Sequence, residues 1–117
     1  MIMKTRYGWV EIDESRYDHD VVIHRNRSVT KRSKKKSKQF RKDYGHTPLT
    51  GHDLKFLKAE KPVVVFIGTG QYGDLPIAMD AHRILLHYES IIRPTPEVLD
   101  LLALESRPSV AILHVTC

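Results

Sequence analysis

One cysteine, Cys117, and one tryptophan, Trp9, stand in a chain of 117 residues. A single thiol builds neither a disulfide framework nor a thiolate-clustered metal site, so the fold must rest on a packed core. Long apolar runs are missing too. The longest, Val63 to Ile67, falls far short of the roughly 20 residues that cross a bilayer. The opening Met-Ile-Met-Lys-Thr-Arg has no apolar stretch of signal-peptide length, and the expectation is a cytoplasmic protein without membrane contact. Acid is absent from one stretch. Arg25 to Lys42 carries ten Lys or Arg and no Asp or Glu, while the other 99 residues hold 9 basic and 14 acidic side chains. An acidic domain therefore carries one basic insert.

What is present is an ordinary globular composition, 41% hydrophobic and 28% charged, sized for one domain over residues 1–117. The front part reads as an antiparallel β-meander over residues 5–32. Tyr7 to Ile12 alternates, Asp13-Glu14-Ser15 turns, Tyr17 to His24 makes a second strand, and Val29-Thr30-Lys31 starts a third. The basic segment 25–42 follows on from it. Residues 50–117 read as α/β. Thr50 is an N-cap with Asp53 at N3, and Leu49 and Leu54 form a staple, predicting a helix from Gly51 to Ala59. Strands are expected at 63–67, 90–93 and 109–116, with helices over 75–88 and 96–105. Thr95-Pro96-Glu97 is a strong helix start, Thr95 being the expected cap, and the second helix is apolar nearly all round, which predicts deep burial. Strand–helix–strand–helix–strand implies right-handed crossovers.

The glycines mark a candidate site. An apolar strand stops at Gly68, Gly70 and Gly73, and Arg93–Thr95 leaves the end of the next strand. Ligands of open α/β sheets bind at that edge. Gly68, Thr69, Gly70, Gln71, Tyr72, Arg93 and Thr95 are therefore the candidate ligand-binding residues: glycines for backbone approach, hydroxyls and an amide for hydrogen bonds, and a cation. The spacing Gly68-x-Gly70-x-x-Gly73 formally matches a dinucleotide fingerprint but fails in context. Pro76 puts the helix start after the glycines, and Glu89 stands at the wrong end of the next strand.

The basic segment gives a second candidate surface. Lys34, Lys35, Lys36, Lys38 and Arg41 can hold phosphates weakly and without sequence preference, with Phe40 and Tyr44 nearby for stacking. The competing reading is a solvated edge strand protected by lysines. Catalytic constellations are thin. The seven histidines are scattered, alternation sends His19 to the face opposite Asp18 and Asp20, and each histidine is read as a surface residue. Ser90 and Ser106 lack a glycine elbow; Cys117 near His114 leaves a thiolate pair open. No cofactor or metal site is expected.

Tyr17-Asp-His-Asp-Val-Val-Ile, Gly45-His46, Val65 through Pro76, Arg93-Pro-Thr95 and Ala111-Ile-Leu-His-Val-Thr resemble a small uncharacterised domain family named after a methanogen protein. That family includes an adipogenesis-associated protein and a mitochondrial assembly factor for respiratory complex I. The resemblance covers nearly the whole chain. It implies a three-layer α/β fold: a mixed central sheet with two crossover helices on one side and a β-hairpin plus helix on the other. It also implies protein partners and no assigned enzymatic activity. The chain departs from the pattern in its dense basic segment and in Leu99-Asp100, where many members carry an aromatic–Asn pair.

The reading is a non-enzymatic binding module with a crevice at Gly68–Gly73 and an assembly or adaptor role, its partner a protein or a small anionic ligand. Two alternatives stay open: a small enzyme acting on an anionic metabolite through Tyr72, Arg93 and Thr95, and weak nucleic-acid binding through the basic segment.

Overall fold

The computed structural model describes residues 1–117. Two sheets form the frame. Strands β1 (Met3–Arg6), β2 (Trp9–Ile12) and β3 (Ser15–Tyr17) make a small antiparallel sheet in that order. The central sheet is built from β4 (Val21–Ile23), β5 (Val29–Lys31), β6 (Val64–Thr69), β7 (Glu89–Arg93) and β8 (Ser109–His114), in the order β5-β4-β8-β6-β7. Strand β6 pairs parallel with both β7 and β8, and β4 pairs antiparallel with β5 and β8. The sheet is thus mixed. Strands β6 and β8 are buried at every position, as central strands covered on both faces must be.

Pleating sorts the apolar residues into two cores. Val64, Phe66, Ala111 and Leu113 face helix α4 (Thr95–Leu104) through Val98, Leu99 and Leu102, and face the small sheet through Val10 and Ile12. Val65, Ile67, Val110 and Ile112 face the other way, onto Leu49, Leu54, Leu57, Leu75, Ala81 and Leu85. That second layer holds a 3-10 turn (Gly51–Leu54), helix α2 (Leu57–Glu60) and helix α3 (Met79–Leu85). A one-turn helix, α1 (Arg41–Tyr44), follows a 3-10 turn in the basic segment.

Three layers are present, with a helix layer on one side and a hairpin sheet plus helix on the other. The two crossover helices, however, part company: α3 lies in the helix layer and α4 beside the hairpin sheet. Handedness explains this. The chain steps from β6 to β7 in one direction and from β7 back across β6 to β8 in the other. Two right-handed crossovers in opposite directions put their helices on opposite faces.

Several local expectations shift. Tyr7–Gly8 is a hairpin turn, with Gly8 at φ 93°, so strand β2 begins only at Trp9. The stretch from Tyr17 to His24 is no single strand. Asp18-His19-Asp20 carries the chain from the small sheet into the central one, which splits the expected meander. Leu75–Ala78 is extended rather than helical, because Leu49 N–H donates to the Pro76 carbonyl and Ala78 N–H to the Leu49 carbonyl. Helix α4 is not buried all round. Leu101 is 42% and Leu104 85% exposed, since an outer helix has only one face to lay on a sheet.

Candidate functional site

The glycine loop and the Arg93–Thr95 turn do meet. Thr95 N–H donates to the Gly70 carbonyl (2.9 Å), and Gly70 N–H donates to Thr95 Oγ1 (2.9 Å). Thr95 does not cap α4 with its side chain. It is fully buried, and its hydroxyl donates to the His114 carbonyl (2.6 Å), so it ties the ends of β6 and β8 together.

Further amides of the loop are spent on the protein as well, while Tyr72 N–H makes no hydrogen bond within it. Gln71 N–H donates to the Thr116 carbonyl (2.7 Å), Asp74 N–H to the Cys117 carbonyl (2.9 Å), and Gly73 N–H to the Gly70 carbonyl (3.3 Å). Gly70 sits at φ 101°, and a Cβ there would run into the Cys117 carbonyl group. The loop thus wraps the segment Val115–Cys117, which occupies the groove beside it. Neither Gly68–Gly73 nor Arg93–Thr95 lines any of four surface pockets of about 320 to 680 Å³. Thr69 is buried, and Arg93 is exposed with its guanidinium on the Ile92 carbonyl (2.8 Å).

What the loop shows outward is Tyr72, 70% exposed, tilted against Tyr7 of the β1–β2 turn (56% exposed) at 6.0 Å between ring centroids. Gln71 Nε2 donates to Thr5 Oγ1 (2.9 Å), and Gly8 N–H donates to the Val115 carbonyl (2.8 Å). These bonds fix the hairpin turn and the glycine loop to each other.

A second cluster lies on the other side of Val115–Cys117. Asp20, at the sheet-switching corner, is buried. Its Oδ2 accepts from Arg32 Nη1 (2.9 Å) and His114 Nδ1 (2.8 Å) and lies 3.3 Å from Lys34 Nζ. Its Oδ1 accepts from Val115 N–H (3.0 Å). Arg32 also reaches Asp53 through Nε (3.0 Å) and Nη2 (3.2 Å), and the Pro48 carbonyl through Nη2 (2.9 Å). Asp53 completes the capping box with Thr50 and accepts from Ser37 Oγ (3.1 Å). Burial drives the Asp20 carboxyl upward. The His114 hydrogen bond and the charges of His114, Lys34 and Arg32 outweigh it and hold Asp20 well below the usual carboxylate range. No buried side-chain nitrogen or oxygen lacks a partner.

This corrects the sequence reading twice. His114 is 7% exposed instead of lying on the surface, because β8 is a central strand. Cys117 Sγ approaches His46 Nδ1 (3.7 Å) rather than His114.

The basic segment divides. Strand β5 is a sheet edge, and Lys35, Lys36, Lys38 and Arg41 are exposed. Arg25 is held on the Glu60 and Lys61 carbonyls, Arg27 on Ser109 Oγ, Lys34 beside Asp20, and Arg32 is 3% exposed. Above the buried network opens a pocket of about 680 Å³ with a single apolar lining residue, Val115.

No protein-family model and no curated protein matches the chain. Solved structures do. The conserved hypothetical protein PH1505 from Pyrococcus horikoshii OT3 is 32% identical, with 100% of both chains covered and a TM-score of 0.85. A structure described as MT938 is 30% identical over 97% of this chain and 96% of its own, with a TM-score of 0.79. The chain belongs to the family of these two proteins. A third structure, XCC1710 from Xanthomonas campestris, covers 98% of this chain and 86% of its own with a TM-score of 0.63. At 14% identity it shares the fold alone. No helix of the protein is long and apolar enough to cross a membrane.

Sequence reasoning placed the glycine loop against Thr95 but missed the Asp20–Arg32–Asp53–His114 network. One signal was on view. A capping-box carboxylate such as Asp53 uses one oxygen for the cap and has another to offer.

Proposed function

We propose that the protein is a non-enzymatic binding module, of the kind its resemblance to the methanogen-named family implies, with a protein as its partner. The observation that carries this reading is the tyrosine pair. Tyr72 and Tyr7 stand exposed on two loops that are hydrogen-bonded to each other and to Val115–Cys117. Tyrosine is enriched at protein interfaces, and a platform fixed beforehand loses little entropy on docking. The glycine loop supplies the rigidity of this platform, with the Gly70, Gln71 and Gly73 amides already occupied. Native mass spectrometry of the protein isolated with its partners tests the reading. A stoichiometric protein partner, lost in Tyr72→Ala and Tyr7→Ala variants that keep the fold, supports it. A partner retained by both variants overturns it.

One arrangement favours the enzymatic alternative. His114 Nδ1 donates to Asp20, and its Nε2 lies 3.1 Å from Thr116 Oγ1, in the order acid, imidazole, hydroxyl. Against it, Arg32 and Lys34 share the carboxylate oxygen that His114 uses, so Asp20 is not given over to the imidazole alone. Hydrolysis of a phosphate or carboxylate ester that disappears in Thr116→Val would establish the enzyme; no turnover of either leaves the hydroxyl as a structural partner of His114.

A further inference from the structure

The pocket above Asp20 is built differently from the rest of the surface. Its floor is internally paired. Asp20 holds Arg32 and Lys34, and Arg32 also holds Asp53, which lies outside the lining. The rim is not neutral. Lys31, Lys35 and Lys38 line it, make no ion pair, and face one acid, Asp18, that is itself unpaired. The three lysines come from successive pieces of backbone: the end of β5, the loop after it, and the 3-10 turn. Apart from Val115 the lining is polar or charged, and no Phe, Tyr or Trp is in it. Such a pocket attracts negative charge, and the one ring in its lining is the imidazole of His19.

We infer that this pocket binds an oligophosphate, an anion carrying two or more linked phosphate groups, and reads its charge. Three separate ammonium groups match a chain of phosphates better than one compact ion, since each lysine acts as a point charge of its own. The buried ion network has a part in this. By fixing Arg32 and Lys34 inward, it holds the backbone that carries Lys31, Lys35 and Lys38 around a preformed opening. Free oligophosphate and the phosphate tail of a nucleotide share this chemistry. The site lies apart from the tyrosine platform and does not depend on the reading of that surface.

Isothermal titration of the full chain with tripolyphosphate tests the inference, with orthophosphate, ATP and a single-stranded oligonucleotide as comparison arms. Tripolyphosphate is expected to bind, orthophosphate at least about tenfold more weakly, and ATP about as well as tripolyphosphate. Lys35→Ala with Lys38→Ala, both exposed and outside any ion pair, should weaken tripolyphosphate binding about tenfold. Lys55→Ala with Lys58→Ala, exposed lysines outside this pocket, should leave it unchanged. The inference is overturned by equal losses in the two double variants, by orthophosphate binding as tightly as tripolyphosphate, or by ATP binding far more tightly. An oligonucleotide that outcompetes tripolyphosphate and holds on at high salt would also overturn it, in favour of a nucleic-acid surface.

Discussion

Two arginines in this protein each bridge two carboxylates, and they sit in opposite surroundings. Arg107 grips Glu89 with Nη1 (3.0 Å) and Nη2 (2.7 Å), and Glu105 with Nε (2.8 Å) and Nη2 (2.9 Å), on an open surface where its side chain is 46% exposed. Arg32 bridges Asp20 and Asp53 with three hydrogen bonds between side chains that are 1–3% exposed. By hydrogen-bond geometry the exposed cluster is the better made. By consequence it is the lesser one. Water and salt substitute for either partner at the surface, whereas a buried charge that loses its partner has nothing to replace it.

The largest expected effect follows from breaking the buried bridge. Arg32→Ala leaves Asp20 and Asp53 facing a polar cavity with their main cation gone, and should cost about 3–5 kcal/mol in denaturant unfolding. Arg32→Lys keeps the charge but cannot span both carboxylates and the Pro48 carbonyl, so it should fall between wild type and Arg32→Ala. A loss in Arg32→Ala no greater than that of a surface substitution would remove the distinction drawn between the two arginines.

Acid sharpens the comparison. The Asp20 carboxyl is held low in the folded protein, so the unfolded chain binds its proton first as pH falls. Its contribution is complete above about pH 4 and is lost as pH drops from there toward the folded-state value. Arg107 does the same on the surface. Its hydrogen bonds hold Glu105 down to about 2 and lower Glu89. The surface share is open to screening, and in 1 M salt the Debye length is about 3 Å. Stability measured between pH 5 and pH 2 should therefore keep an Asp20-dependent slope in 1 M salt. Asp20→Asn should flatten the slope at both low and high salt, and a slope unchanged in that variant would contradict the assignment.

The same contrast explains what could be read in the chain. Glu105 and Arg107 are two residues apart, and the Thr50–Asp53 cap spans three, so local rules reach them. The strands at 64–69 and 109–114 showed themselves through apolar runs, and the glycine loop through its punctuation. Asp20 and His114 meet across 94 residues, and only because β4 lands beside β8. No local period encodes that pairing. Arg32 was hidden for a different reason: composition averages a run of lysines and arginines into one exposed segment, and cannot tell which member turns inward. The partition of α3 and α4 between layers was likewise set by strand order, which crossover handedness constrains only once that order is known.

The smallest effect belongs to Arg107. Removing its guanidinium in Arg107→Ala strips four side-chain hydrogen bonds from Glu89 and Glu105, yet both carboxylates then turn to water. Melting at neutral pH should shift only slightly, and the shift should vanish in 1 M salt, because what is lost is a screened attraction between groups that solvent reaches. The acid slope should respond as well, but only at low salt, where Glu89 and Glu105 return toward ordinary carboxylate behaviour. The informative comparison is with Arg32→Ala under the same two salt conditions. If Arg107→Ala proves as damaging and as salt-resistant as Arg32→Ala, burial is not what separates the two clusters. The bidentate geometry at Glu89 would then have to carry the stability that the buried network is credited with here.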